Sequence, residues 1–236
     1  MFELRGTLHT DIHTILQNIA VMAIPVVFAI TLHEAAHGWV ANKLGDPTAK
    51  LHGRLTLNPL AHIDPFGTII LPILSFIFAG FVIGAAKPVP VNFSNLRNPK
   101  KDIIWVGAAG PAVNLLMALG CGILLQGLVL LTINGLARSH VASLILLPIL
   151  LMLKEGIKWN VLLAVFNLIP VPPLDGSRIL IGLLPHRQAE ALSRIEPYGM
   201  LIIMFIVFLN PLGFMTHVIW PVMSFLTRMF AGMPVF

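Results

Sequence analysis

Residues 12–44 form one long apolar run, and inside it sit three side chains that lipid tolerates poorly: His33, Glu34 and His37. A hydrocarbon core about 30 Å thick is crossed by about 20 helical residues, so this run is long enough to span a bilayer with some tilt. A lipid-embedded segment must satisfy its own backbone groups, which restricts it to a helix unless it joins a closed barrel. On a helix, positions i and i+4 lie one turn apart on the same face. His33 and His37 of His33-Glu34-Ala35-Ala36-His37 can therefore reach one metal ion, and Glu34 can reach a water bound to that ion. In a chain of this composition the H-E-x-x-H pattern is expected by chance only about 0.007 times. Two histidines and a glutamate satisfied by ordinary polar contacts would be the plainer reading. Within a membrane helix such residues are costly unless they serve a site.

Composition supports the membrane reading. Only 11% of the 236 residues are charged and 57% are hydrophobic, with a mean hydropathy of +0.89. Soluble domains carry about 25% charge. The length suits a single domain, 1–236, with a core over about 12–180 and a C-terminal helical region over 186–236. The first residues do not read as a cleavable signal, because Arg5 is the one early cation and Glu3 and Asp11 lie close by. The net charge of +5 reads as loop asymmetry on a membrane protein rather than a nucleic-acid surface. Cys121 stands alone in an apolar run, which excludes a disulfide framework and leaves it a packing role.

Along the chain, Gly45 and Asp46-Pro47 stop the first helix. The polar stretch 45–65 follows, where the alternation over 51–57 leaves room for a short strand. Residues 66–86 are apolar but interrupted by Gly67, Pro72, Gly80 and Gly84. A second long helix fits 102–133. Residues 141–153 are very apolar but too short to span comfortably, and Lys154, Glu155 and Lys158 interrupt the pattern before Val161–Pro170 resumes it. The last apolar block, 199–231, is broken at Asn210-Pro211-Leu212-Gly213, giving one kinked span or two short ones. These readings give an all-α polytopic membrane protein with about four to six transmembrane helices.

Charge sets an expected topology. If the end of the first helix faces the cytoplasm and 66–86 enters and returns without crossing, ten of the 15 Lys and Arg residues fall inside, as the positive-inside rule prefers. A crossing 66–86 segment would put Lys87, Arg97, Lys100 and Lys101 outside and separate residues 170–178 from the end of the first helix. The prediction is a re-entrant segment, which is tolerable where it lines a cavity enclosed by protein or filled with water.

Two histidines do not complete a catalytic zinc site, which takes three protein ligands and an open position for water. The chain holds ten carboxylates, and Asp175 stands out among them. Pro170, Pro172 and Pro173 exclude regular helix before it, and Gly176 allows a sharp turn just after it. Such a stiff loop can hold one carboxylate in place, although a capping Asp in an ordinary helix–loop–helix connection has the same local pattern. Glu155 falls on the outer side, and Glu190 and Glu196 fall in a polar, interfacial stretch.

At these residues the chain resembles the site-2 proteases, zinc metalloproteases that cut within membranes. The match rests on His33-Glu34-Ala-Ala-His37, Ala-Gly110-Pro111-Ala-Val-Asn114, and Asn167 through Asp175-Gly176. Asn58-Pro59-x-x-His62-x-Asp64-Pro65 and Ala-Lys87-Pro88-Val-Pro90-Val-Asn92 are similar to patterns of the compact prokaryotic subgroup without PDZ or CBS modules. The resemblance implies one Zn2+ per chain on His33, His37 and Asp175, with Glu34 as general base. It implies Asn167 as a catalytic residue that binds substrate or steadies the oxyanion, and it leaves His62 and Asn114 between support and catalysis. It further implies transmembrane protein or signal-peptide substrates and a multi-pass position in the cell (inner or plasma) membrane. The active site is then expected near the cytoplasmic side, with no nucleic acid partner and with the oligomeric state open. A catalytically idle zinc adaptor and a metal transporter are the competing classes. The intact Glu34 argues against the adaptor, and the lack of paired broken helices in two repeats argues against the transporter.

Overall fold

The computed structural model describes residues 12–64, 67, 70, 87–133 and 140–232. The expected re-entrant stretch 66–86 therefore lies almost wholly outside the described residues. The helices are α1 (Ile12–Lys43), α2 (Thr48–Leu51), α3 (Pro99–Leu131), α4 (His140–Asn167), α5 (Asp175–Leu183), α6 (His186–Ser193), α7 (Gly199–Leu209) and α8 (Trp220–Ala231). The fold is all-helical, with no strand among the described residues. Ile19–Lys43, Pro99–Leu131 and the run His186–Leu209 are each long and apolar enough to cross a membrane. The chain is thus a polytopic membrane protein by length and composition.

α1 stops where Gly45 takes a φ of +115°, a region open to glycine and strained for other residues. The next residue, Asp46, is fully buried and becomes a hub. It accepts hydrogen bonds from the Thr48 hydroxyl at 2.5 Å, the Asn92 N–H at 2.7 Å and the Asn95 amide at 2.9 Å. Burial works to raise its pKa, but these bonds outweigh it and hold the carboxyl below the ordinary range. The Arg97 N–H donates to Leu44 O at 3.0 Å, so residues 87–97 lie across the end of α1.

The strand expected over 51–57 does not form. Leu51 ends α2, and residues 54–58 take no regular structure. The Arg54 N–H turns back to Ala49 O at 2.9 Å, and the Arg54 guanidinium donates to Lys87 O at 2.8 Å. An alternating pattern needs a partner edge to become a strand, and here the neighbouring chain is held by a side chain instead.

α4 is one helix of 28 residues, with no break at its charges. Lys158 pairs with Glu155 at 2.6 Å, and the Trp159 indole donates to the same carboxylate at 2.9 Å, so the charges are satisfied on the helix that carries them. α3 and α4 pack with α8 around Ala118, Leu125, Ile157, Val161 and Met223. The final block is two helices, separated where Asn210 and Leu212 take positive φ.

Candidate metal centre

Three elements meet at one point. α1 presents His33 and His37, the first turn of α5 presents Asp175, and α3 passes between them at Gly110. Asp175 Oδ2 lies 3.0 Å from His33 Nε2 and 3.2 Å from His37 Nε2. The donor atoms of the three residues all lie within 4.8 Å of one another. Two ligands at 2.0–2.1 Å in a tetrahedron are about 3.3 Å apart, so both separations from Asp175 suit a shared small ion.

Hydrogen bonding decides what these atoms offer. His37 Nδ1 donates to Val106 O at 2.6 Å, because a carbonyl can only accept. His33 Nδ1 donates to Asn114 Oδ1 at 2.5 Å. Both rings therefore carry a proton on Nδ1, and each ring, when neutral, turns its Nε2 lone pair to the Asp175 carboxylate. Asp175 Oδ2 is buried and receives no hydrogen bond. With both imidazoles neutral the three acceptors repel one another until a proton or a metal cation stands between them. Gly110 leaves the space: a Cβ there would lie 2.4 Å from His37 Nε2 and 2.6 Å from His33 Nε2. The residues fit a metal ion.

Beside this group lies a cavity of about 300 Å³ lined by Glu34, Val89, Phe93, Asn167, Asp175 and Arg178, among others. It is large enough for several waters or a short extended peptide segment. Glu34 Oε2 accepts from the Val89 N–H at 2.8 Å, which ties the carboxylate to the Pro88-Val89-Pro90 segment. Asn167 reaches the same cavity, and its Nδ2 donates to Leu163 O at 2.9 Å.

The structure thus brings together His33, Glu34, His37, Asn167 and Asp175. His62 stands apart: it is buried, with Nε2 donating to Thr56 O at 3.0 Å and its own carbonyl accepting from Lys87 N–H at 3.0 Å. Its place is in supporting the 87–92 segment. Asn114 is the amide that fixes the His33 ring. Sequence reasoning missed Asn160, Gly110 as the ion's clearance, and Arg178, whose guanidinium lies 5.2 Å from the centre of the Phe93 ring and pairs with Glu196 at the cavity wall. A lone Asn in an apolar helix run was the available signal for Asn160, since an amide in a membrane helix needs a partner.

A helical membrane chain with a His–His–Asp donor set and a glutamate facing the same cavity has the parts of a membrane metallopeptidase. Comparison with known proteins agrees. Residues 126–210 match the model of peptidase family M50. The chain is 39% identical over 203 residues to the "Putative zinc metalloprotease YwhC" of Bacillus subtilis (strain 168), covering 86% of this chain and 85% of that one. Two proteins named "Putative zinc metalloprotease Rip2" are each 30% identical to it. The one from Mycolicibacterium smegmatis matches 75% of this chain and 62% of its own length, and the one from Mycobacterium tuberculosis (strain H37Rv) 78% and 64%. No solved structure matches the chain. The chain belongs to peptidase family M50, the site-2 protease family. It is a metallopeptidase, and zinc is the metal its relatives' names carry.

Proposed function

We propose that this chain is an intramembrane zinc endopeptidase, built as one domain, that hydrolyses peptide bonds within or near transmembrane segments. His33, His37 and Asp175 hold one zinc ion, Glu34 is the general base and Asn167 a donor to the oxyanion. The observation that carries this reading is the pair of Nδ1-protonated imidazoles. They turn two Nε2 atoms onto the buried Oδ2 of one carboxylate beside the cavity that Glu34 lines. When bound, the metal acts as a Lewis acid that lowers the pKa of a bound water to about 7 and polarises the scissile carbonyl.

The protein's own groups do the rest. Glu34 takes a proton from the attacking water and returns it to the leaving amine nitrogen. The bond from the Val89 N–H keeps the carboxylate aimed while leaving its second oxygen for that water. The Asn167 amide has two hydrogens; Leu163 O takes one, and the other serves the substrate oxygen.

The substrate helix must unwind, because its peptide bonds are otherwise shielded by their own hydrogen bonds. The 87–92 segment is suited to pair with the unwound strand. Pro88 and Pro90 have no N–H, so the segment offers the Val91 N–H and its carbonyls once the Val89 N–H is given to Glu34. Charged substitutions over Val89–Val91 are expected to reduce cleavage, and unchanged cleavage would remove this segment from the substrate path. Candidate substrates are single-span membrane proteins or residual signal peptides.

In the structure α1 ends beside residues 87–97, and Lys100 at the start of α3 donates to Ile181 O at 2.5 Å near the end of α5. The cations Lys43, Lys87, Arg97, Lys100 and Lys101 therefore share one end of the bundle. We assign that end to the cytoplasmic face of the cell membrane. Single cysteines at 87 and 97 are expected to react only with reagent supplied from the cytoplasm, and reaction from the other side would reverse the assignment.

Purified protein in detergent, given a panel of single-span substrates, tests the mechanism. Wild type is expected to cut and to hold one zinc. Glu34→Gln should keep zinc and lose cleavage, and Asp175→Asn should lose both. Cleavage by Glu34→Gln at the wild-type rate would overturn the base assignment, and undiminished zinc in Asp175→Asn would overturn the ligand assignment.

A further inference from the structure

We propose that Asn160, on α4 and outside the metal donor set, sets the tautomer of His33 through Asn114. The proposal rests on the reading of His33 as a metal ligand.

The Asn160 Nδ2 donates to Gly156 O at 2.8 Å, and a carbonyl can only accept, so the amide's orientation is fixed. Its Oδ1 must then accept from Asn114 Nδ2, at 2.7 Å. The second hydrogen of Asn114 Nδ2 goes to Ala29 O at 3.2 Å, again an obligate acceptor. Asn114 Oδ1 therefore faces His33 Nδ1 at 2.5 Å and must accept from it. The proton is held on Nδ1, and Nε2 keeps its lone pair for the metal. The relay runs from α4 through α3 to α1 and ends on backbone carbonyls at Gly156 and Ala29.

Reversing the relay is costly. With its amide flipped, Asn114 would turn an oxygen onto Ala29 O and Asn160 Oδ1 and a donor onto His33 Nδ1. The ring would then have to carry its proton on Nε2, where it cannot ligate. Asn114 is fully buried and Asn160 is 2% exposed, so water does not offset lost bonds. Asn160 thus acts as a positioning residue, two side chains removed from the ion.

Zinc affinity measured by chelator competition on detergent-purified protein tests this, with no substrate required. Asn160→Leu removes the accepting oxygen and is expected to weaken zinc binding about 10- to 100-fold, as loss of outer-shell partners does elsewhere. Asn160→Asp, held protonated by burial, keeps an oxygen facing Asn114 and an O–H for Gly156 O, and should stay within about threefold of wild type. Ile157→Ala, fully buried one turn away on α4, loosens packing without touching the relay and should leave affinity unchanged. Should Asn160→Leu fail to accumulate, Asn160→Ala read against Asn160→Asp gives the same decision. Equal affinity in Asn160→Leu and wild type overturns the relay. So does an equal fall in Asn160→Asp, or a matching fall in Ile157→Ala. A wild-type protein that binds no zinc overturns the metal-site reading itself, which separates the two failures.

Discussion

Two stretches of this chain are alike in hydropathy and unlike in position. The apolar window within Pro99–Leu131 has a mean hydropathy of 2.1 and that within His186–Leu209 has 1.7, yet 22% of the first is buried and only 6% of the second. The difference lies in side-chain size. α3 buries Gly107, Gly110, Ala118 and Gly122, and it packs through them against α5, α1 and α8. α7 reads Gly-Met-Leu-Ile-Ile-Met-Phe-Ile-Val-Phe-Leu, and Gly199 is its one buried residue. Lipid tails are as apolar as leucine, so hydrophobicity alone does not draw a membrane helix inside. Small residues that let backbones approach do. The His33, His37 and Asp175 donors of α1 and α5 close against the helix that has them.

The sharpest break in this comparison is Gly110→Ala. The added Cβ would sit 2.4 Å from His37 Nε2, in the space an ion needs, and the histidines are held by Val106 and Asn114 and cannot retreat. Zinc retention is expected to fall more than about 100-fold, beyond the usual outer-shell effect. Metal analysis of the purified variant checks it. Full zinc content would show that α3 yields, and that small size at 110 is not what admits the ion.

Gly199→Ala probes a point where α7 meets the segment leading to Asp175. A Cβ there would lie 1.9 Å from Pro172 O, in the loop that carries Asp175. Overpacking of this kind costs about 1–3 kcal/mol and moves the loop. Both the thermal midpoint and zinc affinity should fall. A variant with a lowered midpoint and wild-type zinc affinity would show that the Asp175 loop is positioned by α3 alone.

Gly122→Ala is the matching test within α3 but away from the ion. Its Cβ would meet Phe230 O at 2.3 Å, so α8 must move off. The cost is again about 1–3 kcal/mol, but zinc affinity should be unchanged, because α8 supplies none of the donor residues and none of their hydrogen-bond partners. A parallel loss of zinc would join the two halves of the molecule more tightly than this comparison holds.

What was legible in the sequence follows the same division. Local punctuation was readable: Gly45 and Asp46-Pro47 end α1, and Asn210-Pro211 divides the last block. One spacing puts His33 and His37 on one face with Glu34 beside them, one proline-rich loop precedes Asp175, and the structure brings these four residues together. The missing parts depend on partners distant in sequence. The alternation over 51–57 found no edge to pair with among the described residues, while Arg54 was drawn to Lys87 instead. The charges at 154–158 looked like an interruption because their mutual pairing shows only on a continuous helix. Asn114 acquired a definite role only when α4 brought Asn160 against it, and nothing in either local pattern encodes that meeting.

The smallest effect is expected on the exposed face of α7, where Leu201, Phe205 and Leu209 are all more than half exposed. Phe205→Leu exchanges one apolar side chain for another against lipid tails. About half of the Phe205 side chain is free of packing among the described residues, and there is no water to exclude there. The change should fall within about 0.5 kcal/mol, the range of substitutions away from packed or polar features. Thermal unfolding in lipid nanodiscs across several protein concentrations checks this. A loss above about 1 kcal/mol that appears only at high concentration would mean that a second copy packs on α7. A loss independent of concentration would mean that α7 packs against its own chain in the bilayer. α7 would then be packed without small residues, and the rule drawn from comparing the two helices would fail.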